Sequence, residues 1–131
     1  MDESDCKIIL NINFGRIFAQ EFIHFPKDDQ LKIFNFVNHL KFNGFVGLPG
    51  RNKESTNVSA DDHLFLIKVK FARENNLYHY HIGIPVYDET KPTGDWTSKY
   101  ILHYSYLDTD VKIIEMSQHP PFNLPATDYL K

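Results

Sequence analysis

The sequence predicts an α+β fold, an antiparallel (four- to five-stranded) sheet with one or two N-terminal helices packed on one face. Three stretches predict it. Leu64 to Gly83 reads as two alternating runs on either side of Asn75-Asn76. Pro26 to Gly44 carries an apolar stripe of helical period, and Ser98 to Gln118 reads as a second pair of alternating runs. With 131 residues, 42% of them apolar, the chain is read as one domain large enough to bury a core.

Taken in order, Lys7 to Asn13 alternates weakly and is expected as a short strand or an ordered arm, within an N-terminal segment 1–13. Arg16 to Phe25 sets Ile17 or Phe18, Phe22, Ile23 and Phe25 at spacings that fit either period. Its β-branched and aromatic content favours a strand. Pro26 opens a helix: proline suits the first helical position, and Asp28 and Asp29 complement the positive end of the dipole. Ile33, Phe36, Val37 and Leu40 form its stripe, Leu31 and Phe34 lie on the flank, and Asn43-Gly44 supplies a left-handed cap. Phe45 to Asp62 is a loop, Gly/Pro-rich and then polar, with Arg51 and Lys53 at its turn.

The stretch from Leu64 reads as a hairpin, because asparagine tolerates the positive φ of a tight type I′ turn. A two-residue loop then faces Phe71 with Tyr80, Val69 with Ile82 and Ile67 with Ile84. On the opposite side Ala72 meets His79, Lys70 meets His81 and Lys68 meets Gly83. Pro85 ends that strand, and Val86 to Thr97 is a connecting loop whose Trp96 is expected to anchor it in the core. In the second hairpin a three-residue loop, Asp108-Thr109-Asp110, pairs Tyr104 with Ile114 and Leu102 with Met116. The other face pairs His103 with Glu115 and Lys99 with His119. Pro120-Pro121 stop the last strand, and the C-terminal tail, 119–131, is too proline-broken for a long helix and is expected to drape over the body.

One sheet face would thus be apolar and covered. The other would carry Lys68, Lys70, His79, His81, Lys99, His103, Glu115 and His119, either as a solvated surface or as an electropositive platform with groups titrating near neutrality. The net charge of −3 weighs against a whole-surface nucleic-acid binder and leaves room for a local basic face. The single cysteine, Cys6, allows no internal disulfide and points to a reducing compartment. The acidic start MDESDCK is unlike a signal peptide, and no apolar run approaches the ~20 residues of a membrane helix, so a soluble cytoplasmic protein is expected.

The sequence holds no G-x-S-x-G, no P-loop and no dinucleotide fingerprint. Zinc at a convergence of His79, His81 and His103 lacks the cysteines or the H-E-x-x-H context of a strong zinc signature, so no metal or other cofactor is expected. RNA cleavage by the ribose 2′-hydroxyl fits better. It needs one group to take the 2′ proton, one to protonate the leaving 5′ oxygen, and fixed cations around the phosphorane. Histidine serves in either proton-transfer role, and lysine and arginine supply the charge.

The runs RIFAQEFIHFPKDDQLKIFNFVNHLKFNGFVGLPGR, LIKVKFARENNLYHYHIG and YILHYSYLDTDVKIIEMSQHPPF resemble the YafO-type toxins of the RelE superfamily, messenger-RNA interferases of bacterial type II toxin–antitoxin pairs. The likeness lies in order and spacing over Arg16 to Pro125: strand, helix ending in glycine, G-R loop, basic strand, histidine-bearing strand, closing hairpin. It implies a RelE-like fold, ribosome-dependent cleavage of mRNA without a metal, and inhibition by a cognate antitoxin protein. No membrane association is expected, and no DNA contacted by this chain alone. The implied catalytic set is His119, His81, His79, Lys70, Arg73 and Arg51, with His119 or His81 as general base or acid. Lys53, Lys68, Lys99 and His103 would bind RNA. Such toxins are usually basic, and the −3 charge of this chain differs. The competing expectation is a non-catalytic antitoxin or immunity protein that neutralises a partner toxin, which the acidic balance and exposed charged loops favour.

Overall fold

Apolar periodicity fixes the largest helix, and the sheet assembles beneath it. The computed structural model describes residues 9–131, so Cys6 and the start of the first predicted segment lie outside the described residues. The chain runs β1 (Asn11–Phe14), α1 (Arg16–Phe22), α2 (Lys27–Asn43), β2 (Asn52–Glu54), α3 (Phe65–Glu74), β3 (Leu77–His81), β4 (Tyr100–Leu107) and β5 (Asp110–Gln118), then a 3-10 helix, Thr127–Leu130. One five-stranded sheet has the order β1-β5-β4-β3-β2. It is antiparallel except for the parallel pair β1 and β5, which makes it mixed. The fold is α+β.

The α2 stripe is as the periodicity predicts. Ile33, Phe36, Val37 and Leu40 are buried, Asp28 and Asp29 occupy the first turn, and Gly44 caps the C-terminus at φ 61° with its N–H on the Leu40 carbonyl. The stripe packs on the sheet face of Tyr80, Leu102, Tyr104, Val111 and Ile113. Phe36 stacks on Tyr80 with ring centroids 4.6 Å apart. Each such side chain contributes roughly 1.5–3 kcal/mol on burial.

Two predicted strands are helices. Arg16–Phe22 is α1, because Phe18 and Phe22 lie one turn apart and meet Phe14 at 5.0 and 5.1 Å. The predicted hairpin over Leu64–Gly83 does not form either: its first arm is α3, and β3 pairs with β2 and β4 instead. Lysine, leucine, alanine, arginine and glutamate favour a helix there, and Ala72 is buried where the helix meets the sheet. The residue expected at positive φ is indeed there, Asn76 at 54°, but it stops a helix rather than turning a hairpin. Asparagine in the left-handed region serves both purposes.

α3 and the C-terminal tail cover part of the second sheet face, where Ala72, Leu77 and Ile114 form a small core with Phe71, Leu124, Tyr129 and Leu130. The tail drapes as expected, with the Tyr129 hydroxyl donating to Glu21 and Lys112 Nζ to the Leu130 carbonyl.

The β4–β5 hairpin forms, with Leu102 opposite Met116 and His103 opposite Glu115 as predicted. Nearer the turn the register differs by one: Leu107 pairs with Asp110 and Tyr104 with Ile113. A tighter turn and an irregularity between His103 and Tyr104 compensate one another, so the far end keeps the predicted pairing. The predicted Phe45–Asp62 loop contains β2, an edge strand that sets Lys53 opposite His79.

Candidate active site

The period of two along Leu77-Tyr-His-Tyr-His81 sends Tyr80 to the α2 side, where it meets Phe36, and His79 and His81 to the other. His103 joins them from its position opposite His79, and His119 follows β5 with its N–H on the Lys99 carbonyl at 2.8 Å. His81 and His119 are nearly parallel, their rings 5.5 Å apart at 27°. His79 lies 6.1 Å from His119 and 6.4 Å from His103. Phe122, delivered by the tail, packs on His79 at 4.6 Å, on His119 at 5.3 Å and on His103 at 5.8 Å.

Serines hold the rings. Ser55 Oγ lies 3.0 Å from His79 Nδ1, and Ser117 Oγ lies 2.9 Å from His103 Nε2. His81 Nδ1 sits 2.9 Å from the Ser98 carbonyl and 3.0 Å from the Ser98 N–H, so it donates to one or accepts from the other according to tautomer. Among the described residues, Nδ1 of His103 and Nδ1 of His119 are buried without a partner.

Arg51 reaches this group from the segment leading into β2. Its carbonyl accepts the His81 N–H at 3.0 Å, and its guanidinium forks onto Asp95 at 2.6 and 3.2 Å. The preceding Gly50 permits that approach, since a Cβ there would lie 2.1 Å from the His81 carbonyl oxygen. Arg51, His81 and His119 form a shared wall between two hollows. One, of about 310 Å³, is also lined by Lys53, Lys68, His79 and Phe122. The other, of about 570 Å³, is also lined by Tyr87, Ser98 and Lys99.

All four imidazoles are held below their ordinary range. Burial pushes His79 down to about 3, helped by the neighbouring histidines, and His103 down to about 4. Burial lowers His119 and Arg51 lowers it further. His81 is lowered by burial, while its contact with the Ser98 backbone works the other way.

The sequence-predicted residues divide. Arg51, Lys53, Lys68, His79, His81 and His119 come together in one hollow, and Lys99 lines the other. His103 lies beneath, fully buried. Lys68 arrives from α3 rather than from a strand, already paired with Asp62. Lys70 is not paired with His81: it is exposed on α3 beside Glu74 at 3.9 Å. Arg73, in the last turn of α3, lines a separate hollow with Glu54 and Asn76. Helical period rather than strand period separates Lys70 and Arg73 from Lys68. Asp95, Ser55, Ser98 and Phe122 were not anticipated; each is a single residue far along the chain from its partner, with no local motif to mark it.

Among the described residues, no three histidine, cysteine, aspartate or glutamate side chains are arranged to hold a metal ion, and no helix is long and apolar enough to cross a membrane. No protein-family model, curated protein or solved structure matches the chain. The arrangement by itself offers paired imidazoles beside a fixed guanidinium and lysine ammonium groups, a setting for proton transfer at an anionic phosphodiester.

Proposed function

We propose that this chain is an endoribonuclease of the YafO type within the RelE superfamily, cleaving ribosome-bound mRNA and neutralised by a cognate antitoxin. The observation that carries this reading is the His81–His119 pair, 5.5 Å apart, beside an arginine clamped by Asp95. Part of the element order supports a RelE-like fold: a helix ending in glycine, the Gly50-Arg51 loop, a histidine-bearing strand and a closing hairpin, while the opening strand of the resemblance is the helix α1 here. The basic segment of the resemblance is helical here, which removes Lys70 and Arg73 from the proposed chemistry.

In the proposed reaction His119 takes the 2′-hydroxyl proton as the O2′–P bond forms. Protonated His81 gives a proton to O5′ as the P–O5′ bond breaks, leaving a 2′,3′-cyclic phosphate and a 5′-hydroxyl. The roles follow from surroundings. Burial lowers both rings, but at His81 the contact with the Ser98 carbonyl partly opposes that lowering, whereas at His119 burial and Arg51 act together toward the neutral form. Arg51, Lys53, Lys68 and Lys99 hold the phosphorane charge. General acid–base action contributes about 10²–10⁴-fold.

Induced expression in bacteria, with mRNA 5′ ends mapped, tests the reading. Wild type should arrest growth and cut mRNA, and His119→Ala and His119→Gln should each lose at least about 10²-fold in cleavage. Wild-type cleavage by His119→Gln would remove His119 from proton transfer. The net charge of −3 favours the second reading, a non-catalytic binder of a partner toxin, and wild-type expression without growth arrest or cleavage selects it.

A further inference from the structure

A third hollow, of about 510 Å³, lies on the α2 side of β3. Phe36, Tyr80, Tyr87 and Trp96 give it aromatic walls, and Lys32 and Glu89 add one charge of each sign. It adjoins the histidine site, because Val86 and Tyr87 line both this hollow and the one beside His81 and His119. Tyr87 is fixed as the partition: its hydroxyl donates to the His81 carbonyl at 2.6 Å and lies 2.8 Å from the Tyr80 hydroxyl. Lys32 is fixed as well. Its Nζ donates to the Gly83 carbonyl at 2.8 Å and the Pro85 carbonyl at 2.6 Å, which leaves one of three N–H donors for a ligand. Among the described residues Lys32 makes no ion pair.

We infer that this hollow is a nucleobase subsite: it takes the base of a nucleotide flanking the phosphate held at His81 and His119, and in that respect it rests on the ribonuclease reading. Small-ligand sites run from about 300 to 1,000 Å³ with mostly apolar and aromatic walls and a few fixed polar groups, and this hollow has that make-up. Proteins read single-stranded RNA by splaying bases onto aromatic rings and bonding their edges. Here Tyr87 and Trp96, both partly exposed, supply the ring faces, Phe36 and Tyr80, stacked on one another, form the floor, and the free Lys32 N–H is a donor and the Glu89 carboxylate an acceptor. A strand crossing the histidine hollow needs only to pass Val86, which is exposed, for its next base to reach Tyr87 and Trp96.

Trp96 is the chain's single tryptophan, so its emission reports this hollow alone. Titration of the purified protein with the four nucleoside 3′-monophosphates should quench it saturably for at least one base, and ribose 5-phosphate should not. Asn35→Phe, placed on an exposed α2 position that lines the hollow, should weaken that quenching on the order of tenfold. In cells, Asn35→Phe and Glu89→Gln should each change the base preference beside the cut. Quenching by none of the four monophosphates, or an unchanged base preference in both variants while cleavage continues, overturns the subsite and leaves the proposed nuclease standing. Base-dependent quenching in a wild-type protein that cleaves no RNA overturns the nuclease and retains the base site.

Discussion

Acid should unfold this protein through its buried histidines, well before its carboxylates titrate. His79 and His103 are 6% and 0% exposed and are held down to about 3 and about 4. In the unfolded chain each returns to about 6.5. Above about pH 6.5 neither state carries the proton and stability is full. As the pH falls below that value the unfolded chain gains protons that the folded chain refuses, and stability is lost until the folded values are reached. Between about pH 7.5 and pH 5 each histidine should cost about 2 kcal/mol, about 4 kcal/mol together. That is a large share of the 5–15 kcal/mol typical of a domain. His81 and His119 are lowered too and act in the same direction, while Glu115, raised by burial and by Glu21, offsets part of the loss. Urea unfolding followed by circular dichroism at the two pH values measures the difference. His103→Gln, which can keep a hydrogen bond to Ser117, should reduce the pH-dependent loss by about 2 kcal/mol. A wild type equally stable at both pH values, or an unchanged pH dependence in His103→Gln, would refute the reasoning.

Because both His81 and His119 are lowered, a reaction needing one protonated and one neutral imidazole should be fastest below about pH 6.5 and should slow as the pH rises through neutrality; a rate on RNA that stays flat or climbs above that value contradicts the paired roles. Arg51→Ala should reduce cleavage by about 10²-fold, and Arg51→Lys should not restore it fully, because lysine cannot fork onto Asp95. Lys70→Ala should leave both cleavage and melting temperature nearly unchanged, since its exposed contact with Glu74 is worth little; a large loss of cleavage would return Lys70 to the site.

What the sequence settled by itself was whatever one stretch of chain decides alone. The stripe Ile33-Phe36-Val37-Leu40 and the cap at Gly44 need no partner to be legible, because helical period and a left-handed glycine are local properties. The far end of the β4–β5 hairpin and the histidine alternation of β3 were legible for the same reason, short-range pairing and a period of two. Tertiary structure decided the rest. Arg16–Phe22 and Phe65–Glu74 carry patterns compatible with either period, and burial of Phe18, Phe22 and Ala72 against the sheet selects the helix. That selection moves Lys70 and Arg73 away from the histidines while Lys68 still reaches them. The site itself is assembled across long separations. Asp95 clamps Arg51, Ser55 meets His79, Ser98 meets His81, and Phe122 closes over three imidazoles. None of these pairings leaves a mark on neighbouring residues. They exist because the sheet order brings β3 between β2 and β4, and only the folded chain fixes that order.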